Sequence, residues 1–281
     1  MKTMYAHDGL ERIQAATDHL LLRSKDGWVI GQFFDNQLSS IFQPVFEANE
    51  LRVVGHAAYI HSESEHKTVI PPWGIFTLAS EDSLLVKLDR LCRTVHAINY
   101  FNVASGNGNL FLNVQPRLLE SVRDDHGQAF KRILDLIGIA TSRVVIEIPV
   151  EVNRDWRLLK HVIGNYRSRG YQVAVNHDGG RENWMAGLSD LRPLQPDIVR
   201  LEASALLQHN GLRLLLKRFI AWVQRFWYVK LKRHSNFIQP ELQVQIFFRA
   251  ICLVKLHVRS KGRMGYHNPE QASDITRVHV A

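Results

Sequence analysis

Cysteine is nearly absent from this chain. Cys92 and Cys252 are the only two in 281 residues, too few for a disulfide framework. Long hydrophobic runs are missing as well: no apolar stretch approaches the roughly 20 residues that a membrane-spanning helix needs. The opening MKTMYAHDGLERIQ scatters charge where an export signal requires an apolar segment. Internal repeats and low-complexity segments are also lacking. These absences point to a soluble cytoplasmic protein with no membrane span. The 46% apolar content is enough for a sizeable core, and a barrel of about 250 residues is within reach of the length. One main domain is expected.

The net charge of +8 is unevenly spread. Residues 226–281 hold nine Lys/Arg against three acids, a surplus of six, whereas the 26 basic and 24 acidic side chains before them nearly balance. This shift in composition marks a boundary near Phe226. It divides the chain into an N-terminal extension (1–36), a main domain (37–225) and a basic tail (226–281).

Short runs rich in Val, Ile and Phe alternate with stretches of helical period, the pattern of βα units. Strands are expected at 42–46, 52–60, 110–114, 144–148, 172–176 and 198–201. Leu84, Leu88, Leu91, Val95 and Ile98 recur at spacings of 4, 3, 4 and 3, which predicts a helix over 83–100. Leu158, Leu159, Val162, Ile163 and Tyr166 form a second stripe, and Gly170 is placed to stop that helix. SGNGN at 105–109 reads as a turn ahead of a strand, too far from a helix start to cradle a phosphate. The fold class is therefore α/β, a TIM-like barrel whose strands end at a common face where a site would lie.

Five segments resemble, in order and spacing, an EAL domain, the bacterial module that hydrolyses cyclic di-GMP. They are IFQPVF (41–46), VVGHAAYIH (53–61), LFLNVQPRLL (110–119), VVIEIPVE (144–151) and GYQVAVNHDGG through PDIVRLE (170–202). The resemblance implies strand ends carrying a Glu from the naming tripeptide, an Asn, a second Glu and an Asp-Asp pair. Those groups hold two divalent cations, and a Lys, a basic Glu and a Gln complete the site. The metals would lower the pKa of a bridging water and clamp the phosphate, and such hard cations need anionic oxygen ligands.

Matched residue by residue, most of this charge is gone. Ala57 stands at the tripeptide Glu, Tyr59 at its Leu, and His61 at the Arg that grips the nucleotide. Asn113 and Glu147 match the family's Asn and second Glu, and are the candidates for a residual metal or ligand site, or for simple polar caps of the strand ends. Asn176 and His177 replace the Asp-Asp pair, and Asp178 follows them, reaching the site only if the strand register slips by one residue. His177 with Glu147 would suit zinc chemically, but two ligands on separate strands are few, and a hydrogen-bonded histidine is the simpler reading. Arg200 replaces the catalytic Lys. It can hold a phosphate, or pair with Glu202 or another barrel acid, but is not readily deprotonated. One carboxylate at the four ligand positions Ala57, Glu147, Asn176 and His177 cannot retain two dications.

The resemblance ends in the tail, where RFWYVKLKRHSNFIQPELQ (225–243) replaces the expected Glu and Gln-Gly-Tyr motifs. Residues 228–232 and 250–258 have the apolar content for two more strands. The tail is open to three readings: an atypical barrel closure, a basic interaction segment, or translation in a shifted reading frame that leaves the barrel incomplete. Its interleaved aromatic and basic residues suit nucleic acid, but also suit any strand with a solvated face.

The resemblance thus implies a catalytically degenerate domain, not an enzyme, acting as a regulator or interaction module in bacterial cyclic di-GMP signalling. Cyclic di-GMP and a protein partner are the candidate ligands, and nucleic acid is not the expected one. No cofactor is required, with Mg or Mn relevant only to residual activity through Asn113, Glu147 and Asp178. With about 36 residues ahead of the barrel, any input is expected to come through partners.

Overall fold

The computed structural model describes residues 5–47, 53–104, 107–121, 127–177, 191–202, 242–247 and 252–256. The chain opens with α1 (Tyr5–Thr17), β1 (Leu21–Arg23), β2 (Val29–Phe33), β3 (Asn36–Glu47), β4 (Val53–Ser64) and β5 (Val69–Ile70). Then come α2 (Pro72–Leu78), α3 (Asp82–Ala97), β6 (Asn109–Asn113), α4 (Pro116–Ser121), α5 (Gln128–Leu136) and β7 (Val144–Ile148). The remaining elements are α6 (Trp156–Ser168), β8 (Gln172–His177), β9 (Ile198–Glu202), β10 (Leu242–Phe247) and β11 (Cys252–Leu256).

Strands β4, β6, β7, β8 and β9 pair in parallel, in that order, and helices α2 to α6 connect β4 through β8. This is the βα arrangement that the alternating pattern implies. The expected all-parallel barrel needs correction at both ends. β3 runs antiparallel to β4, because residues 48–52 are too few for the crossover of about a dozen residues that parallel pairing needs. β10 is antiparallel to β9 and to β11, and β11 is antiparallel to β3, with Leu253 opposite Glu47 and Val254 opposite Phe46. The strand expected at 250–258 is present as β11, whereas that at 228–232 lies outside the described residues. The strand β10 has no counterpart among the expectations.

The N-terminal strands belong to the same sheet. β1 pairs with β2 and β2 with β3, and Leu21, Val29 and Phe33 are buried in the main core. Asn99 fastens them: its Oδ1 accepts from the Val29 amide at 2.7 Å and its Nδ2 donates to the Val29 carbonyl at 2.9 Å. Asn99 sits just beyond α3, whose end is the main departure from the predicted helix over 83–100. α3 stops at Ala97 and passes into a wider π-helical segment, Ile98–Val103, closed by Ala104 N donating to Asn99 O.

The stripes fall where the periodicity puts them. Leu88, Leu91, Val95 and Ile98 of the first stripe and Leu159, Val162, Ile163 and Tyr166 of the second are buried in the main core, Leu91 and Val95 lying against Gly31 of β2. The Asp155 carboxylate caps α6 by accepting from the amides of Arg157 and Leu158. Gly170 follows its end at φ +85°, the left-handed conformation that favours glycine. Glycine is also required where β6 enters beside β4, because a Cβ on Gly55 would collide with the Asn109 carbonyl.

Burial of two histidines gives a testable pH dependence. His96, held by Ser40 Oγ at 2.8 Å, is driven down to about 3 by burial and by the nearby Arg93 charge. His19 is driven to about 4 by burial, then by Lys87 and Arg90. An unfolded chain binds protons below an ordinary pKa of about 6.5 that these folded-state rings refuse. Stability is therefore complete above that value and is lost as pH falls toward the folded pKa values. Urea unfolding at pH 7 and pH 5 is expected to differ by on the order of 2 kcal/mol or more, since each ring contributes at most ~1.4 kcal/mol per pH unit. A flat profile would contradict the buried, neutral assignment.

Candidate functional site

Side chains alternate along each strand, so one set of positions faces the helices and the other faces inward. The inward set forms a second, smaller apolar cluster: Val45, Ala57, Phe111, Val145, Ala174 and Ile198, all with 0% exposure. Two residues further along β6, β7, β8 and β9, on the same face, lie Asn113, Glu147, Asn176 and Arg200. An apolar floor thus sits beneath a polar rim at the carboxyl ends of the parallel strands, where barrel chemistry is housed.

Ala57, at the tripeptide Glu position, belongs to that floor. It offers no side-chain donor or acceptor, and Gln43 lies directly opposite it on β3. His61, further along β4, is held by Glu63, with Nε2 3.0 Å from Oε1.

The decisive contact is between two strands that are not neighbours. Arg200 on β9 donates from Nη1 to Glu147 Oε2 on β7 at 2.8 Å, with Glu147 fully buried and Arg200 7% exposed. β8 lies between them, and two strand spacings amount to roughly 9.5 Å. Register aligns Glu147 with Ala174 and Asn176 with Arg200. The arginine therefore leans back over Ala174, whose methyl group leaves room for a long side chain to cross. The expected pairing of Arg200 with a barrel acid is present, and Glu147 is its partner.

The rim gathers Asn113, Glu147, Asn176 and Arg200, and leaves other expected groups aside. Asn113 lies opposite Glu147 in the parallel register and is exposed. Asn176 carries a buried Oδ1 with no hydrogen-bond partner among the described residues, while its backbone carbonyl accepts from Asn153 Nδ2 at 2.8 Å. His177 follows Asn176 on β8, so alternation assigns it to the opposite face and separates it from Glu147. Asp178 lies outside the described residues. Among the described residues no three His, Cys, Asp or Glu side chains gather as a metal site.

Sequence reasoning missed three contributors: Glu63 on His61, Asn153 beneath Asn176, and Ala174 in the path of Arg200. Only Ala174 left a signal, as the small inward residue two positions before Asn176.

A family model for the EAL domain matches residues 28–226. The chain belongs to the EAL domain family. Among curated proteins, none matches it. Among solved structures, the EAL enzyme Bd1971, in a form bound to cAMP and cyclic di-GMP, superposes with a TM-score of 0.53 at 13% identity, covering 79% of this chain and 58% of that one. BlrP1 of Klebsiella pneumoniae, in complex with manganese and cyclic di-GMP, gives a TM-score of 0.51 at 19% identity over 66% of this chain and 47% of that one. These likenesses carry the fold: a mixed α/β sheet of TIM-like type with helices outside. This EAL chain spans about half the length of those solved relatives. Among its described residues no helix is long and apolar enough to cross a membrane.

Proposed function

We propose that this EAL domain is a non-hydrolytic regulator or interaction module of bacterial cyclic di-GMP signalling, working in the cytoplasm. The observation that carries the reading is the buried Glu147–Arg200 pair at 2.8 Å. Glu147 is the carboxylate retained among the four ligand positions read from the sequence, and a protein cation already neutralises it. A pair of divalent ions would face Ala57, Asn176 and an engaged Glu147, a donor set that does not fit them. In-line attack then has neither an activated water nor a clamp on the leaving oxygen.

Cyclic di-GMP remains the candidate ligand. Asn113, Asn176 and Arg200 supply hydrogen-bonding groups at the rim, His61 stands beyond them on β4, and Asp178 follows β8 in sequence. The output would pass to a protein partner. For the tail, residues 226–281, we favour atypical closure over a detached basic arm, and the support is the pairing of β10 with β9 and of β11 with β3.

The test is incubation of the full chain with cyclic di-GMP and Mg²⁺ or Mn²⁺, followed by chromatography of the recovered nucleotide. Intact cyclic dinucleotide is expected, with no linear product above a protein-free control. Metal-dependent turnover abolished by Glu147→Ala would replace this reading with that of a residual phosphodiesterase.

A further inference from the structure

The misfit between this barrel mouth and divalent cations has a specific cause. We infer that Arg200 is the resident cation of the site: its guanidinium takes the neutralising place at Glu147, shuts out divalent metal, and makes recognition at the rim independent of metal. The inference deepens the non-hydrolytic reading and rests on it for the ligand, though the exclusion of metal is a separate physical claim.

Three observations carry it. Glu147 is fully buried and lies 2.8 Å from Arg200 Nη1, so an arriving dication must displace the guanidinium from that carboxylate at a position 7% exposed. That exchange is strongly unfavourable in a poorly solvated site. Among the described rim residues the other oxygens, from Asn113 and Asn176, belong to neutral amides, and Ala57, Phe111, Val145, Ala174 and Ile198 beneath are apolar. Hard cations are not held by one contested carboxylate and two amides. Finally, Arg200 cannot step aside by losing its proton, as a buried lysine can. The methyl group of Ala174, on the strand between, keeps the crossing open.

The guanidinium is therefore what separates this rim from a single-cation site. Without it, Glu147, the Asn113 amide and the Asn176 Oδ1, which has no hydrogen-bond partner among the described residues, remain as oxygen donors.

Mn²⁺ uptake by the full chain at pH 8, read from loss of the free-ion electron paramagnetic resonance signal, tests this, with thermal melts on the same samples. Wild type and Glu147→Gln are expected to take up Mn²⁺ equally, with melts that Mn²⁺ does not move. Arg200→Met should take up about one further ion per chain, and its melt should rise by ~5 °C with saturating metal. Adding Glu147→Gln to that variant should abolish both effects. The inference is overturned if Glu147→Gln lowers wild-type uptake, or if folded Arg200→Met binds no more Mn²⁺ than wild type. Should Arg200→Met fail to fold, wild type against Glu147→Gln decides alone: equal uptake supports exclusion and a drop refutes it. Hydrolysis is scored separately. Turnover by wild type with unchanged uptake in Glu147→Gln would sink the functional reading and leave the exclusion standing.

Discussion

Arg93→Met is expected to destabilise the fold by about 3–5 kcal/mol, a large part of the 5–15 kcal/mol that holds a typical domain together. Arg93 and Asp89 sit one turn apart on α3 and are 4% and 5% exposed. Arg93 Nε approaches Asp89 Oδ2 at 2.7 Å, and Arg93 Nη1 donates to the Tyr166 hydroxyl of α6 at 3.3 Å. The guanidinium also lies 5.9 Å from the centre of the Phe130 ring of α5. One cation thus ties three helices beneath the surface. Removing it strands a carboxylate among apolar groups and leaves the tyrosine hydroxyl without its donor. Asp89→Leu combined with Arg93→Met should recover most of the loss, since two apolar groups need no partner. Urea unfolding of the two variants checks this, and a single-variant cost below about 1 kcal/mol would mean that the pair is solvated.

The second large effect concerns the barrel mouth. Glu147→Leu should cost about 3–5 kcal/mol, because it isolates Arg200 in a buried setting, while Glu147→Leu with Arg200→Met should lie near wild type. The coupling energy from the double-mutant cycle is expected to exceed ~2 kcal/mol. A cycle that closes near zero would mean that water screens the pair, and would remove the physical ground for treating Glu147 as unavailable to metal. The same cycle separates a structural pair from a ligand-binding one. If cyclic di-GMP contacts Arg200, its presence should raise the melting temperature of wild type and not that of the double variant.

Strands β4, β6, β7, β8 and β9 and both helical stripes were legible because each depends on local spacing. Leu88, Leu91, Val95 and Ile98 recur with the helical period, and that recurrence alone places them on one face. Strand direction was less legible. An alternating pattern reads the same in either direction, so β10 and β11 carry no local mark of antiparallel pairing. For β3 and β4 the short link did carry that information. The wider helical turn at Ile98–Val103 went unseen because its hydrophobic spacing continues that of α3.

The site divides in the same way. The family resemblance implies carboxylates where Ala57, Asn176 and His177 stand, and a methyl group, an amide or an imidazole supplies no anion in any fold. Retention of Glu147 and substitution of Arg200 are equally plain, but neither states what the two do to each other. They stand 53 positions apart in the chain, and their contact requires that β8 lie between β7 and β9, that all three strands share one register, and that Ala174 leave the gap open. The sequence by itself thus determined the α/β class and the helical faces, because composition and periodicity are local. Only the tertiary structure decided the antiparallel direction of β10 and β11 and the pairing of Glu147 with Arg200, because an ion pair reaching across an intervening strand exists only once the sheet has set the distance between its ends.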